Sequence, residues 1–163
     1  MRLDEILTEL AAASDVDAPN LDDDGGAQLV LDDETLISVE PMPKVDGFAF
    51  HAVVAPVPAG DRGIVFAELL HANSLGLGTA GASLALNPEM DDIVLSRVLY
   101  HSGMSVEQFE ASFEAFTGAL RYWRKRAEDG HLGQGDWHDE DDFSSPEIGN
   151  AETSVPPGQY FRG

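Results

Sequence analysis

The 163-residue chain has no cysteine, so disulfides and thiolate metal sites are excluded and a reducing compartment is permitted. No apolar run approaches the ~18 residues that span a bilayer. The first ten residues, MRLDEILTEL, carry Asp4, Glu5 and Glu9, where a secretory signal needs a basic start and an uncharged apolar stretch. The expectation is a soluble, cytoplasmic protein without membrane insertion. Positive charge is scarce as well: 9 Lys and Arg stand against 30 Asp and Glu, a formal net charge of −21. Such a field repels nucleic acid, polyphosphates and anionic lipid. It also keeps a surface with exposed apolar patches in solution. Catalytic sets are missing too. There is no G-x-S-x-G elbow, and the histidines (His51, His71, His101, His131 and His138) include no i, i+4 pair with an acidic partner on a firm helix. The carboxylates cluster in loops and tail, where burial raises no pKa. The expectation is no enzyme activity, no metal and no cofactor.

One stretch argues at first sight for a nucleotide. SLGLGTAGASLAL, residues 74–86, places Gly76, Gly78 and Gly81 in a G-x-G-x-x-G pattern. A dinucleotide-binding turn needs a strand before the glycines and a helix after them, so that the helix N-terminus receives the pyrophosphate. Here a helical pattern precedes Gly76 and a strand pattern follows Gly78. The helix end facing the loop carries the negative partial charge, and no Lys or Arg lies between Arg62 and Arg97. The glycines are read instead as a helix stop followed by a close-packed strand.

Hydrophobic periodicity orders the rest. Leu3, Ile6, Leu7 and Leu10 predict an amphipathic helix over 3–13. AQLVLD (27–32), TLISVEPM (35–42) and GFAFHAVVAPV (47–57) predict three strands. Residues 60–76 predict a helix with Asp61 as N-cap and Gly76 as stop. Its apolar residues run nearly all round, which calls for partners on more than one side, and a second subunit is one such partner. Residues 79–101 predict two strands around the turn N-P-E-M-D-D. Residues 105–127 predict the longest helix. Ser105 caps it, Val106, Phe109, Phe113, Phe116, Leu120 and Trp123 form its apolar stripe, and Arg121, Arg124, Lys125 and Arg126 crowd its C-terminal end. The expected organisation is one domain over 1–129 and an acidic, disordered tail over 130–163. That tail contains WHDEDDF (137–143), two aromatics around an acidic cluster.

The block FAELLHANSLGLGTAGASLALNPEMDDIVLSRVL, residues 66–99, resembles the signature region of the CesT/Tir-chaperone family, the class I chaperones of bacterial type III secretion. The matching positions are Leu69, Leu70, Ala72, Asn73, Gly76, Gly78, Thr79, Gly81, Ala82, Leu84, Leu86, Pro88 and Glu89. His71 departs from the acidic residue common in the family, and the hairpin turn lacks the usual Thr-Gly ending. The resemblance implies an α+β fold, a twisted antiparallel sheet with three helices in the order α-β-β-β-α-β-β-α, assembled as a homodimer. It implies a non-enzymatic, ATP-independent chaperone that holds the N-terminal segment of a type III secretion effector as an extended chain. A secretion ATPase is a further conceivable partner.

On this reading Ile64, Val65, Phe66, Leu69 and Leu70 are the expected dimer contacts. Leu3, Leu7, Leu29, Leu31, Ile37 and Val39 are the expected effector contacts, from the first helix and the early strands. The charge leaves a second reading open: a small acidic adaptor or inhibitor that masks a basic protein partner through its lead and its WHDEDDF tail.

Overall fold

The computed structural model describes residues 2–13, 19–30 and 35–134. Eight regular elements follow in the expected order. Helix α1 spans Leu3–Ala13, and strands β1 (Ala27–Val30), β2 (Leu36–Met42) and β3 (Gly47–Pro56) come next. Helix α2 (Arg62–Ala72), strands β4 (Ser83–Asn87) and β5 (Asp92–Tyr100), and helix α3 (Val106–Glu128) complete it. The strands form one antiparallel sheet in the order β1-β2-β3-β5-β4. Short connections join neighbouring strands except at β3–β4, where α2 is inserted and β5 takes the place beside β3.

Residues paired across antiparallel strands share a face, which divides the sheet cleanly. Val39 lies opposite Phe50, Phe48 opposite Leu99, and Ala52 opposite Leu95. These residues are buried with Ile37, Leu84 and Ile93 against Leu3, Ile6 and Leu7 of α1 and Phe109, Phe116, Leu120 and Trp123 of α3. Phe50 is the hub: its ring lies 5.3 Å from that of Phe109 and 5.4 Å from those of Phe113 and Phe116. Such edge-on and tilted aromatic pairs add specificity to the area that they bury. The stripe that predicted α3 is therefore the main wall of the core.

The start of α3 is closed by a capping box. Ser105 Oγ accepts from the Gln108 N–H, and Gln108 Oε1 accepts from the Ser105 N–H. Asp61 caps α2 as expected, its carboxylate accepting from the Gly63 N–H at 2.9 Å. The end of α2 differs from the expectation. The helix stops at Ala72, and Ser74–Thr79 form 3-10 turns in which Leu75 and Gly76 both have left-handed backbone. Trp123 Nε1 donates to Gly78 O at 2.9 Å and ties this turn to α3. A Cβ on Gly78 would meet Ala72 at 3.0 Å, so the glycine permits the turn to fold back against the helix it follows. The glycine-rich stretch is thus a tight chain reversal.

Packing also runs past residue 129, the expected end of the domain. Leu132 joins the core, and the Gly133 N–H donates to Glu68. The rest of the expected tail, with WHDEDDF, lies outside the described residues.

Candidate functional site

Helix α2 buries one stripe. Val65, Glu68, Leu69 and Ala72 are its buried residues, at i, i+3, i+4 and i+7. The opposite side carries Phe66 and Ala67, half-buried, and Leu70, 72% exposed, with Ile64 exposed at its margin. Of the five expected dimer contacts, the structure therefore turns Val65 and Leu69 into the core of their own chain. Ile64, Phe66 and Leu70 stay accessible. The Arg62 guanidinium lies 5.4 Å from the centre of the Phe66 ring and also pairs with Asp91 in the β4–β5 turn. Each charge holds the other: hydrogen bonding to Asp91 raises the Arg62 pKa, and hydrogen bonding to Arg62 holds the Asp91 carboxyl below its ordinary value.

The turn after α2 extends the same apolar surface. Leu75 is 92% exposed and Leu77 72%. Leu75 has φ 55, a conformation that a branched side chain adopts only when its surroundings impose it. Just before the turn, Asn73 places its side-chain amide on the backbone of β4. Asn73 Nδ2 donates to Leu84 O at 2.9 Å, and Asn73 Oδ1 accepts from the Leu84 N–H at 2.8 Å. Leu84 belongs to the strand at the end of the sheet, so this one side chain occupies one outward backbone pair near the start of that edge.

A second surface lies on the other face of the sheet. The residues that alternate with the core set are Val30, Leu36, Val53, Val98 and Tyr100, and they remain 41–67% exposed. Val30 faces Leu36 across β1–β2, Val53 faces Val94 across β3–β5, and Val98 and Tyr100 follow along β5. The row of Ser38, His51 and Ser96 lies between Val30, Leu36 and Val53 on one side and Val98 and Tyr100 on the other. The face therefore carries two exposed apolar patches, and such patches mark a candidate binding face.

Most of the expected effector contacts fall on the covered side of this division. Leu3, Leu7, Ile37 and Val39 are buried beneath the helices, and Leu29 is half-buried. Leu31 lies outside the described residues. The correction has a simple cause: a strand shows its residues alternately to the two faces, and Ile37 and Val39 are the members turned inward. Their neighbour Leu36 is the outward one.

Glu68 is the residue that sequence patterning missed. It sits 3% exposed inside the apolar stripe of α2, where a carboxylate needs full compensation. Arg126 supplies an ion pair at 2.8 Å, and the Gly133 N–H adds a bond at 2.7 Å. A lone acid in an otherwise apolar helix was the available signal. Arg97 is half-buried on the core face and donates to Ala80 O at 3.0 Å, which explains the one charged residue among the inward positions of β5; burial lowers its pKa.

A family model, that of the Tir chaperone protein (CesT) family, matches residues 5–124. The chain belongs to this family. Among solved structures, the Tir-chaperone fold of the chain is similar to a protein of the ExsC–ExsE complex. The TM-score is 0.64 at 19% identity, over 77% of this chain and 96% of that one. It is also similar to a chain of the HopA1–SchA chaperone–effector complex, with TM-score 0.62 at 15% identity, over 74% of this chain and 91% of the other. A third likeness is to a chain of the Yersinia pestis type III secretion chaperone SycH in complex with a fragment of YscM2. There the TM-score is 0.59 at 12% identity, over 74% and 98% of the two chains. No curated protein matches the sequence. Among the described residues of this Tir-chaperone family member, no group of three or more His, Asp or Glu is placed to hold a metal ion. No helix there is long and apolar enough to cross a membrane.

Proposed function

We propose that the chain is a type III secretion chaperone that binds the N-terminal segment of an effector as an extended chain and keeps it competent for secretion. Family membership supports the class of activity. The observation that carries the mode of action is the open apolar face of Val30, Leu36, Val53, Val98 and Tyr100. An extended peptide inserts alternate side chains among such rows, and the holding is done by burial, so that neither ATP nor a catalytic group is needed. The high negative charge keeps the unliganded face from self-association.

The protein acts as a homodimer in this reading. Its contact is the outer side of α2, with Ile64, Phe66 and Leu70, continued by Leu75 and Leu77. A two-fold mate would cover the apolar residues that the single chain leaves open. The compartment is the bacterial cytoplasm, where effectors await export.

Co-expression with tagged N-terminal segments of candidate effectors tests the proposal. The expected result is a soluble complex in which Val98→Lys abolishes capture while leaving the chain folded. Capture unaffected by Val98→Lys and by Leu36→Lys would remove the sheet face as the client surface.

A further inference from the structure

We propose that residues 131–134 are a clasp that fixes the pose of α2, and that this clasp controls the surface α2 offers to a second copy. Glu68 is the pivot. It lies at the centre of the buried stripe of α2, and both of its carboxylate oxygens are taken. Oε1 accepts from Arg126 Nε at 2.9 Å, and Oε2 accepts from the Gly133 N–H at 2.7 Å. The first bond reaches the last turns of α3, and the second reaches the segment beyond it.

That segment is held at each residue. The His131 N–H donates to Arg126 O at 2.8 Å, Leu132 is buried in the core, and Gln134 Nε2 donates to Gly130 O at 2.6 Å. Gly133 is fitted most closely. Its φ is +77, and a Cβ there would stand 2.6 Å from Val65 Cγ2. A side chain at 133 cannot coexist with Val65 in its present place. The clasp and the stripe of α2 are therefore one packed unit, closed over a buried charge.

A buried carboxylate that loses one partner is left undercompensated, so the clasp is either closed or open. With it open, α2 retains its ties at the two ends, through Arg62 to Asp91 and through Asn73 to Leu84. Its middle then keeps only its apolar packing and the Arg126 pair, and it can shift. The side opposite the clasp is the one with Phe66 and Leu70, so the shift displaces the dimer contact.

The link to a second copy rests on the dimer reading above; the link to α2 does not. Two variants of the full-length chain test it, Gly133→Ala and Glu68→Gln, the second keeping the side-chain volume. Amide hydrogen exchange, followed segment by segment, is compared with the wild type well below the melting temperature. The expected result is about tenfold or greater loss of protection in 62–72, with β3 and β5 unchanged. The dimer dissociation constant should rise by about tenfold or more in the same variants, corresponding to loss of one compensated buried bond. Equal loss of protection over the whole chain, or none in α2, overturns the clasp. If Gly133→Ala fails to fold, Glu68→Gln alone decides between these outcomes. A wild type that stays monomeric at every concentration overturns the dimer reading, and the exchange pattern still decides the clasp.

Discussion

Leu70→Asp is the substitution that best separates an interface residue from a core residue on α2. In the single chain the Leu70 side chain is 72% exposed, and its sequence neighbour Leu69 is 5% exposed. Fully burying a leucine is worth about 1.5–3 kcal/mol, so covering the exposed part of Leu70 is worth about 1–2 kcal/mol per chain. A two-fold contact uses the residue twice, for about 2–4 kcal/mol per dimer. Placing an unpaired carboxylate there adds to the loss. Dimer affinity should fall by at least roughly 100-fold, taking about 1.4 kcal/mol per factor of ten. The folded monomer should barely notice, since an exposed helix substitution stays within about 0.5 kcal/mol. Light scattering behind size-exclusion chromatography over a dilution series reads the mass, and thermal melting reads the fold. Leu69→Asp is the contrast: it should unfold the chain, because it buries a charge in the core. A Leu70→Asp dimer of undiminished affinity would refute the assignment of this side of α2 to the interface.

Asn73→Ala removes two bonds to the Leu84 backbone; it should cost about 1–3 kcal/mol and lower the melting temperature by several degrees, with m-value unchanged. Val98→Lys and Ile37→Lys should part company in a co-purification assay, the first losing effector with the fold intact and the second losing the fold. Asp91 has its carboxyl pulled below the ordinary range, first by hydrogen bonding to Arg62. The pair therefore adds stability above that range and loses it as pH falls through and below it; Asp91→Asn should flatten the acid side of a plot of melting temperature against pH, and about 1 M salt should do the same. Trp123→Phe deletes the bond to Gly78 O and should cost about 1 kcal/mol, read by chemical denaturation.

The element order was legible because each element carries its signal locally. Ser105 and Gln108 stand three residues apart, the aromatic stripe of α3 repeats within one helix, and N-P-E-M-D-D marks its own turn. What periodicity could not show were contacts between distant stretches. Glu68 is 58 residues from Arg126 and 65 from Gly133, so no window contains the reason for a buried acid. The inward placement of Ile37 and Val39 was hidden for a subtler reason. Alternation in 35–42 is plain, but which of its two faces meets the helices depends on the other strands of the sheet. Leu36 and Ile37 exchange roles on that one choice. The apolar residues all round α2 were read correctly as excess over what one chain buries, yet only the fold shows that Val65 and Leu69 belong to the inside.

The small bracket that Asn73 makes on Leu84 bears on how these molecules behave when crowded. Fibres of stacked sheets grow because each new chain offers a fresh edge to the next. β4 is five residues long, and its second residue, Leu84, already has its outward pair occupied. A strand arriving at that end meets a side chain where one rung of the ladder would be. Whatever joins the sheet at β1, the far end is a poorer template for passing the pairing on. Addition at one end is compatible with this design, and propagation through the molecule is disfavoured. For a member of a chaperone family, an edge that is a poor template lowers the risk of seeding stacked sheets.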